Sequence, residues 1–146
     1  MSENILNKII ENKKKKINKL KKEISIEVLS QKINENKTYL KFKEKILRNH
    51  NDDKVSIIAE IKKASPSAGV IIENYNPVEI ANIYQSNKAT CLSVLTEEDF
   101  FLGNLIHISK IKEKITLPIL CKDFFFDKFQ VHLSKSYGAD AILIIL

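Results

Sequence analysis

Apolar residues recur at helical spacing through the first 24 positions of the chain, and lysines occupy many of the positions between them. The recurring apolar positions are Ile5, Leu6, Ile9, Ile10, Ile17, Leu20 and Ile24. Such a stripe on an otherwise charged helix predicts an amphipathic helix that lies on a core. A second helical stretch is predicted from about residue 26 to residue 47, and the polar run 49–53 marks a turn. We therefore expect residues 1–54 to form an N-terminal helical extension.

A different pattern begins after residue 54, where short apolar runs alternate with helical patterns. The strand-like runs lie at residues 55–61, 90–95, 117–121 and 139–146. Pro77 opens the first intervening helical pattern at a favourable N-terminal position. Nearly continuous apolar strands that alternate with helices predict an α/β fold with a parallel sheet covered on both faces. Periodicity alone does not separate a (β/α)8 barrel from an open doubly wound sheet.

The last of these runs reaches residue 146, so the pattern stops inside or just after a fourth strand. An apolar strand at the edge of a parallel sheet leaves backbone groups unpaired. Either another chain covers this edge or the polypeptide continues, and we expect continuation.

Composition narrows the class of protein. The chain is 44% hydrophobic and 29% charged, as in an ordinary soluble globular protein. No apolar run approaches the roughly 20 residues that a membrane span requires, and no apolar segment precedes a small-residue cleavage site at the N-terminus. The two cysteines, Cys91 and Cys121, are too few for a disulfide framework and lack metal-ligand spacing. We expect a cytoplasmic protein without a membrane partner.

The net charge of +6 comes from the first third of the chain. Residues 1–54 hold 15 basic and 8 acidic side chains, whereas residues 55–146 hold 9 basic and 10 acidic ones. A site for nucleic acid usually recruits arginine and stacking aromatic rings. Arg48 is the only arginine, and the lysine-rich run 13–22 contains no aromatic residue. The lysines are therefore predicted to form a solvated helix face, and no nucleic-acid partner is expected.

Charged side chains follow three of the predicted strands, at the edge where parallel α/β folds carry their chemistry. At the first strand end, alternation places Glu60 and Lys62 on one face, about 6–7 Å apart. A carboxylate and an ammonium in this arrangement either divide acid and base roles or simply pair. The loop that follows holds Ser65 and Pro66, and is expected to be rigid and rich in small hydrogen-bond donors.

The other two strand ends add an aromatic pair and a third charged group. Phe100 and Phe101 lie in an acid-rich loop, where one of them is suited to flank a planar aromatic substrate. Lys122 ends the third strand, where partial desolvation favours a general acid. A lone lysine at a strand end is more often a salt-bridge partner, but three charged ends in consecutive units favour an active site. Cys121 has the opposite parity and is expected to pack against a helix.

The histidines are read as surface or core residues rather than ligands, and no metal site is predicted. They are His50, in a predicted loop, and His107 and His132, on predicted helices.

At its strand ends the sequence resembles indole-3-glycerol phosphate synthase. The run IAEIKKASPSAGVI is similar to the family's first strand and loop, SVLTEEDFFLG to the second, LPILCKDFFFDKFQV to the third and GADAILIIL to the fourth strand. The resemblance extends nearly continuously from about residue 40 to residue 146. It implies a (β/α)8 TIM barrel, of which residues 1–54 are the helical extension and residues 55–146 the first half, with strands 1–4.

The resemblance also implies a reaction. The family converts 1-(2-carboxyphenylamino)-1-deoxyribulose 5-phosphate to indole-3-glycerol phosphate in tryptophan biosynthesis, with loss of CO2 and water, and uses no metal or organic cofactor. By motif match, Lys122 would be the general acid, and Glu60 and Lys62 would orient the substrate and assist proton transfer. The residues expected to contact the substrate are Ser65 and Pro66 in the first loop, Phe101 and Phe124 at the anthranilate ring, and Leu95, Leu143 and Ile145 on a hydrophobic floor.

Departures from the family pattern affect these expectations. Ala68 stands where many members have lysine, which is expected to weaken one loop contact without loss of function. The family's fifth to eighth strands supply a further catalytic glutamate, an asparagine and most of the phosphate site, so this chain alone is expected to be inactive. The alternative is a truncated, non-catalytic half-barrel that needs a partner half, and another phosphate-binding barrel is a weaker rival. In some bacteria the domain is fused to phosphoribosylanthranilate isomerase, which would lie beyond residue 146 and make the protein multifunctional.

Overall fold

The computed structural model describes residues 3–145, in which six helices and six strands follow one another along the chain. The first half contains α1 (Glu3–Glu23), α2 (Ile26–Glu35), α3 (Phe42–Asn51), β1 (Ile58–Ile61), β2 (Ala64–Ser65) and β3 (Gly69–Val70). The second half contains α4 (Pro77–Ser86), β4 (Cys91–Leu95), α5 (Ile106–Lys112), β5 (Ile119–Lys122), α6 (Lys128–Ser136) and β6 (Ala141–Ile142). None of these helices is long and apolar enough to cross a membrane.

Four of the strands form one parallel sheet in the order β1-β4-β5-β6. Helices α4, α5 and α6 connect successive strands of this sheet, so the chain repeats a strand–helix unit, as parallel pairing requires. The predicted α/β class and parallel sheet are therefore confirmed. The predicted coverage on both faces is wrong for these strands, because buried residues alternate with more exposed ones in β1 and β5, and only β4 is buried at every position. Each of the four strands of this sheet is shorter than its predicted run; the last, β6, ends at Ile142, and Leu146 lies outside the described residues. Strands β2 and β3 lie in a region that was predicted as a loop.

The pairing register separates two faces of the sheet. On one face, Ile61 stands beside Val94 and Val94 beside Cys121, and all three are fully buried against helices α4 and α5. On the other face, Leu95 pairs with Lys122. The predicted orientation of Cys121 toward the helices is thus confirmed. The opposite face, which bears Lys122, is not covered by α4 and α5.

Helices α1 and α2 pack on α6 through a second apolar cluster. Ile17 of α1 and Leu29 of α2 are buried there with Phe129 and Leu133. Ile9, which lies about two helical turns closer to the N-terminus than Ile17, is also fully buried. The amphipathic helix predicted over the first 24 residues is therefore confirmed as α1.

The lysine-rich face of α1 is only partly solvated, which corrects the expectation from the sequence. Its lysines form the ion pairs Lys13–Asp123, Lys16–Glu98, Lys16–Asp99 and Lys21–Asp127, with N···O distances of 2.7–2.8 Å. Lys14 and Lys15 remain exposed. Helical periodicity shows which residues share a face but not what lies opposite that face, and here the acidic loops after β4 and β5 lie opposite.

The single helix predicted at residues 26–47 is wrong, because two shorter helices, α2 and α3, occupy this region. Asn36 is extended where α2 ends, and its side-chain oxygen accepts hydrogen bonds from the amide and hydroxyl of Thr38. The amide of Leu40 then donates to Asp140 at 2.6 Å. These bonds give backbone groups partners outside a helix, so the helix stops. Helix α3 also continues into the run predicted as a turn.

Candidate active site

Three charged side chains meet at the carboxyl edge of the sheet. Lys122 ends β5, and its Nζ lies 2.6 Å from Glu60 Oε2. The Nζ of Lys62 lies 3.2 Å from Glu60 Oε1, so each carboxylate oxygen accepts from a different ammonium. The parallel register causes this meeting, since it places Glu60 beside Ser93 and Lys122 beside Leu95 on one face. Glu60 and Lys62 therefore pair, and Lys122 shares the same carboxylate.

Partial exposure and two nearby cations set the electrostatics of this cluster. The side chains of Glu60, Lys62 and Lys122 are 30%, 33% and 39% exposed. Burial acts to raise the pKa of Glu60, but the hydrogen bonds and charges of Lys122 and Lys62 outweigh it and lower the pKa below its ordinary value. Glu60 is therefore a carboxylate at neutral pH, and it holds two ammonium groups close together.

A cavity of about 210 Å³ opens beside the charged cluster. Its lining consists of Leu95, Phe101, Lys122, Asp123, Phe124, Leu143 and Ile145. The five Phe, Leu and Ile side chains predicted to contact a substrate are all in this set, together with the predicted general acid. Lys122 joins the two parts of the site, because its side chain lines the cavity while its ammonium contacts Glu60.

Two aromatic rings form one wall of the cavity. The ring centroids of Phe101 and Phe124 are 6.1 Å apart and the ring planes are tilted by 43°. This separation lies within the range in which aromatic rings attract each other. Phe124 is only 8% exposed, whereas Phe101 is half-buried at the surface of the loop after β4. The wall therefore depends on how that loop is held.

Ser65 and Pro66 lie in the hairpin formed by β2 and β3, directly after β1. The Oγ of Ser65 accepts a hydrogen bond from the amide of Ala68 at 3.2 Å and lies 3.3 Å from Ser67 Oγ. The loop predicted to be rigid is thus a closed hairpin. Among the described residues, the lining of the cavity includes neither Ser65 nor Pro66, so their contact with a substrate stays a prediction.

Two buried acids beside the cavity were not singled out from the sequence. Asp123 accepts from Lys13 Nζ at 2.7 Å and from the Thr96 hydroxyl at 2.6 Å. Glu97 is 2% exposed and accepts from three backbone amides of residues 99–101. Acids in such loops are usually solvated. The sequence feature that points to these two acids is their position, since each lies within two residues of the end of a buried strand.

No metal ligand set is present in the part of the chain that the structure describes, where no group of three or more His, Cys, Asp or Glu side chains could hold an ion. His50 is exposed and lies on α3 rather than in the predicted loop. His107 and His132 are half-buried on α5 and α6. Their interpretation as surface or core residues rather than ligands stays a prediction.

The chain matches a known protein family over nearly all of its length. The family model described as indole-3-glycerol phosphate synthase matches residues 6–146. The match includes all but the first turn of α1, the whole parallel sheet and every residue of the charged cluster and cavity.

Proposed function

Because this chain belongs to the indole-3-glycerol phosphate synthase family, we propose that it carries out the ring-closing decarboxylation of that family. The family consists of TIM-barrel carboxy-lyases of tryptophan biosynthesis. The proposed substrate is a phosphorylated small molecule, 1-(2-carboxyphenylamino)-1-deoxyribulose 5-phosphate. The observation that carries the proposal is the cluster of Glu60, Lys62 and Lys122 beside an aromatic-walled cavity.

The four parallel strands are proposed to be the first four strands of the barrel, with residues 1–54 as the helical extension. A TIM barrel has eight parallel strands, and its reactive groups lie at the carboxyl ends of those strands. The face that carries Glu60 and Lys122 then points into the barrel, and the face buried against α4 and α5 points outward. The helix-covered outer face and the location of the charged cluster support this assignment.

Ring closure forms a bond between the carboxylate-bearing carbon of the anthranilate ring and the ketone carbon of the substrate. The ketone oxygen gains negative charge as this bond forms, and Lys122 donates a proton to that oxygen. Loss of CO2 then restores the aromatic ring, and loss of the new hydroxyl as water, with one proton from the adjacent carbon, completes the indole. A positioned ammonium contributes in two ways, by its charge and by its proton.

Glu60 and Lys62 are proposed to orient the substrate and to assist proton transfer. Glu60 bonds to the Nζ of Lys122 and of Lys62, so it fixes the position of both ammonium groups. Its lowered pKa keeps it ionised, so it holds both ammonium groups at neutral pH. Its part in proton transfer rests on the family resemblance. The three residues therefore act as one hydrogen-bonded unit rather than as independent catalysts.

The apolar cavity is proposed to bind the anthranilate ring. Phe101 and Phe124 provide a wall for a planar ring, and Leu95, Leu143 and Ile145 provide a floor. Ring closure requires a flexible substrate to be held bent, which is mainly a matter of position. An apolar wall also favours CO2 loss, since it leaves the carboxylate poorly solvated.

The remaining assignments rest on the family resemblance. Ser65 and Pro66 are proposed to meet the substrate from the first loop, with Ser65 as a donor to phosphate. A cytoplasmic location and a fusion to phosphoribosylanthranilate isomerase are further proposals of the same kind. No metal or organic cofactor is included in the proposed reaction.

The proposal is tested by replacing Lys122 with methionine in the protein that carries this chain. Lys122→Met keeps an unbranched side chain in the cavity wall but removes the ammonium, so turnover should fall by about 10²–10⁴-fold. Lys110→Met, at an exposed lysine of α5, is the matched control and should leave turnover unchanged. Indole fluorescence reports the product. Unchanged turnover in Lys122→Met would refute the general-acid assignment.

A second candidate is a non-catalytic half-barrel that needs a partner half. It is favoured by apolar exposure on β1, at one edge of the sheet, and on the segment after β6: Ile58 is 47% exposed, Ile144 63% and Ile145 57%. The two candidates differ when the unsubstituted protein that carries this chain is assayed alone and after mixing with strands 5–8 of a family member. Activity of that protein alone supports the synthase, activity only in the mixture supports the half-barrel, and no activity in either contradicts both.

A further inference from the structure

The loop between β4 and α5 is organised around one buried carboxylate. Glu97 is 2% exposed, and its Oε1 accepts from the amide of Asp99 at 3.0 Å. Its Oε2 accepts from the amides of Phe100 and Phe101, at 2.8 Å and 2.9 Å. A buried carboxylate is stable only when its oxygens are fully hydrogen-bonded, and these three charge-assisted bonds supply that. The loop therefore has a fixed centre.

The same loop is tight and conformationally restricted. The amide of Gly103 donates to the carbonyl of Glu97 at 2.8 Å, which closes the loop. A Cβ on Gly103 would lie 2.3 Å from the carbonyl oxygen of Leu95, so only glycine fits there. Leu102 has φ 53°, in the left-handed region that costs non-glycine residues about 1 kcal/mol or more. Such a conformation persists only where surrounding bonds over-determine it.

We propose that Glu97 is a positioning residue that holds Phe101 in the wall of the active-site cavity. Glu97 fixes the amide of Phe101, and the side chain of Phe101 contacts Phe124 and lines the cavity beside Lys122. The inference rests on the proposed function, since it assigns Phe101 to the ring-binding wall. Glu97 itself does not contact the substrate.

The chemistry of the loop requires a carboxylate rather than an amide at position 97. All three donors among the described residues are backbone N–H groups, and glutamine offers them one carbonyl oxygen in place of two. The amide nitrogen of glutamine would face other donors. Glu97→Gln therefore preserves size but releases part of the loop, and Phe101 should lose its fixed position.

The neighbouring glutamate is a matched control. Glu98 has the same charge and lies in the same loop, but its side chain is 47% exposed and pairs with Lys16 on α1. Glu98→Gln makes the same chemical change one residue away without touching the amides of residues 99–101. A loss of affinity caused merely by lower loop charge should appear in both variants.

Binding is measured by fluorescence titration with a substrate analogue whose ketone is reduced to an alcohol, which cannot cyclise. The chain contains no tryptophan, so the anthranilate fluorescence of the analogue is read without that background. Glu97→Gln should raise the Kd about tenfold, the order of one lost charge-assisted hydrogen bond. Glu98→Gln should leave the Kd unchanged within about twofold, as surface substitutions do.

A double-mutant cycle separates positioning from a general structural effect. Phe101→Ala should also weaken binding, and adding Glu97→Gln to it should cause no further loss, because Glu97 acts through Phe101. A further tenfold loss in the double variant, or an unchanged Kd in Glu97→Gln alone, would overturn the inference. Failure of the unsubstituted protein to bind the analogue would instead count against the proposed function.

Hydrogen exchange decides the role of Glu97 even if Glu97→Gln fails to fold or the analogue fails to bind. In the unsubstituted protein, the amides of Phe100 and Phe101 should exchange slowly although their loop lies at the surface, because both donate to a buried carboxylate. Exchange at the rate of an unprotected loop would show that Glu97 does not hold these residues.

Discussion

Asp140 joins the N-terminal helices to the sheet, and its removal is the sharpest test of the fold. It lies just before β6, with a side chain that is fully buried. Its Oδ1 accepts from the amide of Leu40, in the segment between α2 and α3, at 2.6 Å. Its Oδ2 accepts from the amide of Ile119 at 2.8 Å and from Lys112 Nζ at 2.7 Å. One carboxylate thus connects three separate segments.

The expected cost of Asp140→Ala follows from what the substitution leaves behind. The ammonium of Lys112 is only 6% exposed, and it would remain buried without its partner. Breaking a buried ion pair in this way costs about 3–5 kcal/mol, and each orphaned buried donor about 1–3 kcal/mol. Because these contributions overlap, we expect a loss of about 4 kcal/mol out of the 5–15 kcal/mol typical of a domain. Asp140→Asn keeps an acceptor oxygen and should cost about half as much.

Urea unfolding followed by circular dichroism measures this loss, since the chain has no tryptophan to report it. With a denaturant slope of about 2 kcal/mol per molar, Asp140→Ala should lower the midpoint by about 2 M. Glu113→Ala, next to Lys112 and exposed, should change the free energy of unfolding by no more than about 0.5 kcal/mol. A midpoint shift of less than about 0.5 M in Asp140→Ala would refute the reasoning.

Two further predictions concern other buried groups. Lys13→Met removes the ammonium that pairs with Asp123 and should lower the free energy of unfolding in urea by about 2 kcal/mol, the scale of a hydrogen bond to a charged group. Lys14→Met, at an exposed lysine, should be neutral. Equal effects of the two substitutions would contradict the buried pair. Burial raises the pKa of Cys121 to about 12, so this thiol is uncharged at pH 8 and should resist a thiol-specific reagent until the protein unfolds; rapid labelling of Cys121 in the native protein would show that the core is open.

The fold could be predicted from the sequence where a pattern is local and repeated. Apolar runs separated by helical patterns identified the parallel sheet, since strands joined by crossover helices pair in parallel. Burial on both faces, which such runs also predict, holds only for β4. Alternation also sorted Cys121 toward the helices and Lys122 toward the cavity. These inferences succeed because the side-chain period of a strand is fixed by backbone geometry.

The break between α2 and α3 could not be predicted in this way. The amide of Leu40 bonds to Asp140, which is 100 residues away in the sequence. A local window contains only the apolar and polar spacing of residues 26–47, and that spacing is compatible with one helix. Tertiary hydrogen bonds decide where such a helix stops, so a reading of local spacing overestimates its length.

Contacts between residues distant in the sequence also determine parts of the candidate site that local patterns do not predict. The residues themselves pointed to Lys122, a charged group at a strand end, whereas the family resemblance named the Phe, Leu and Ile side chains that line the cavity with it. It did not identify Glu97 or Asp123, whose partners are backbone amides, Thr96 and Lys13. Groups that hold a site in place have no distinctive composition, and only the structure shows that these two acids are buried.

The lysines of α1 lie opposite the acidic loops after β4 and β5, which explains part of the uneven charge distribution of the chain. Asp123 lines the cavity, and an unpaired carboxylate there would repel the proposed substrate, which carries both a carboxylate and a phosphate. Lys13 pairs with Asp123, and Lys16 pairs with two more acids of the neighbouring loop, so helix α1 neutralises this edge of the sheet. Part of the basic excess of residues 1–54 therefore forms ion pairs within the protein. This is a physical reason for a lysine-rich helix to accompany the proposed site for an anionic substrate.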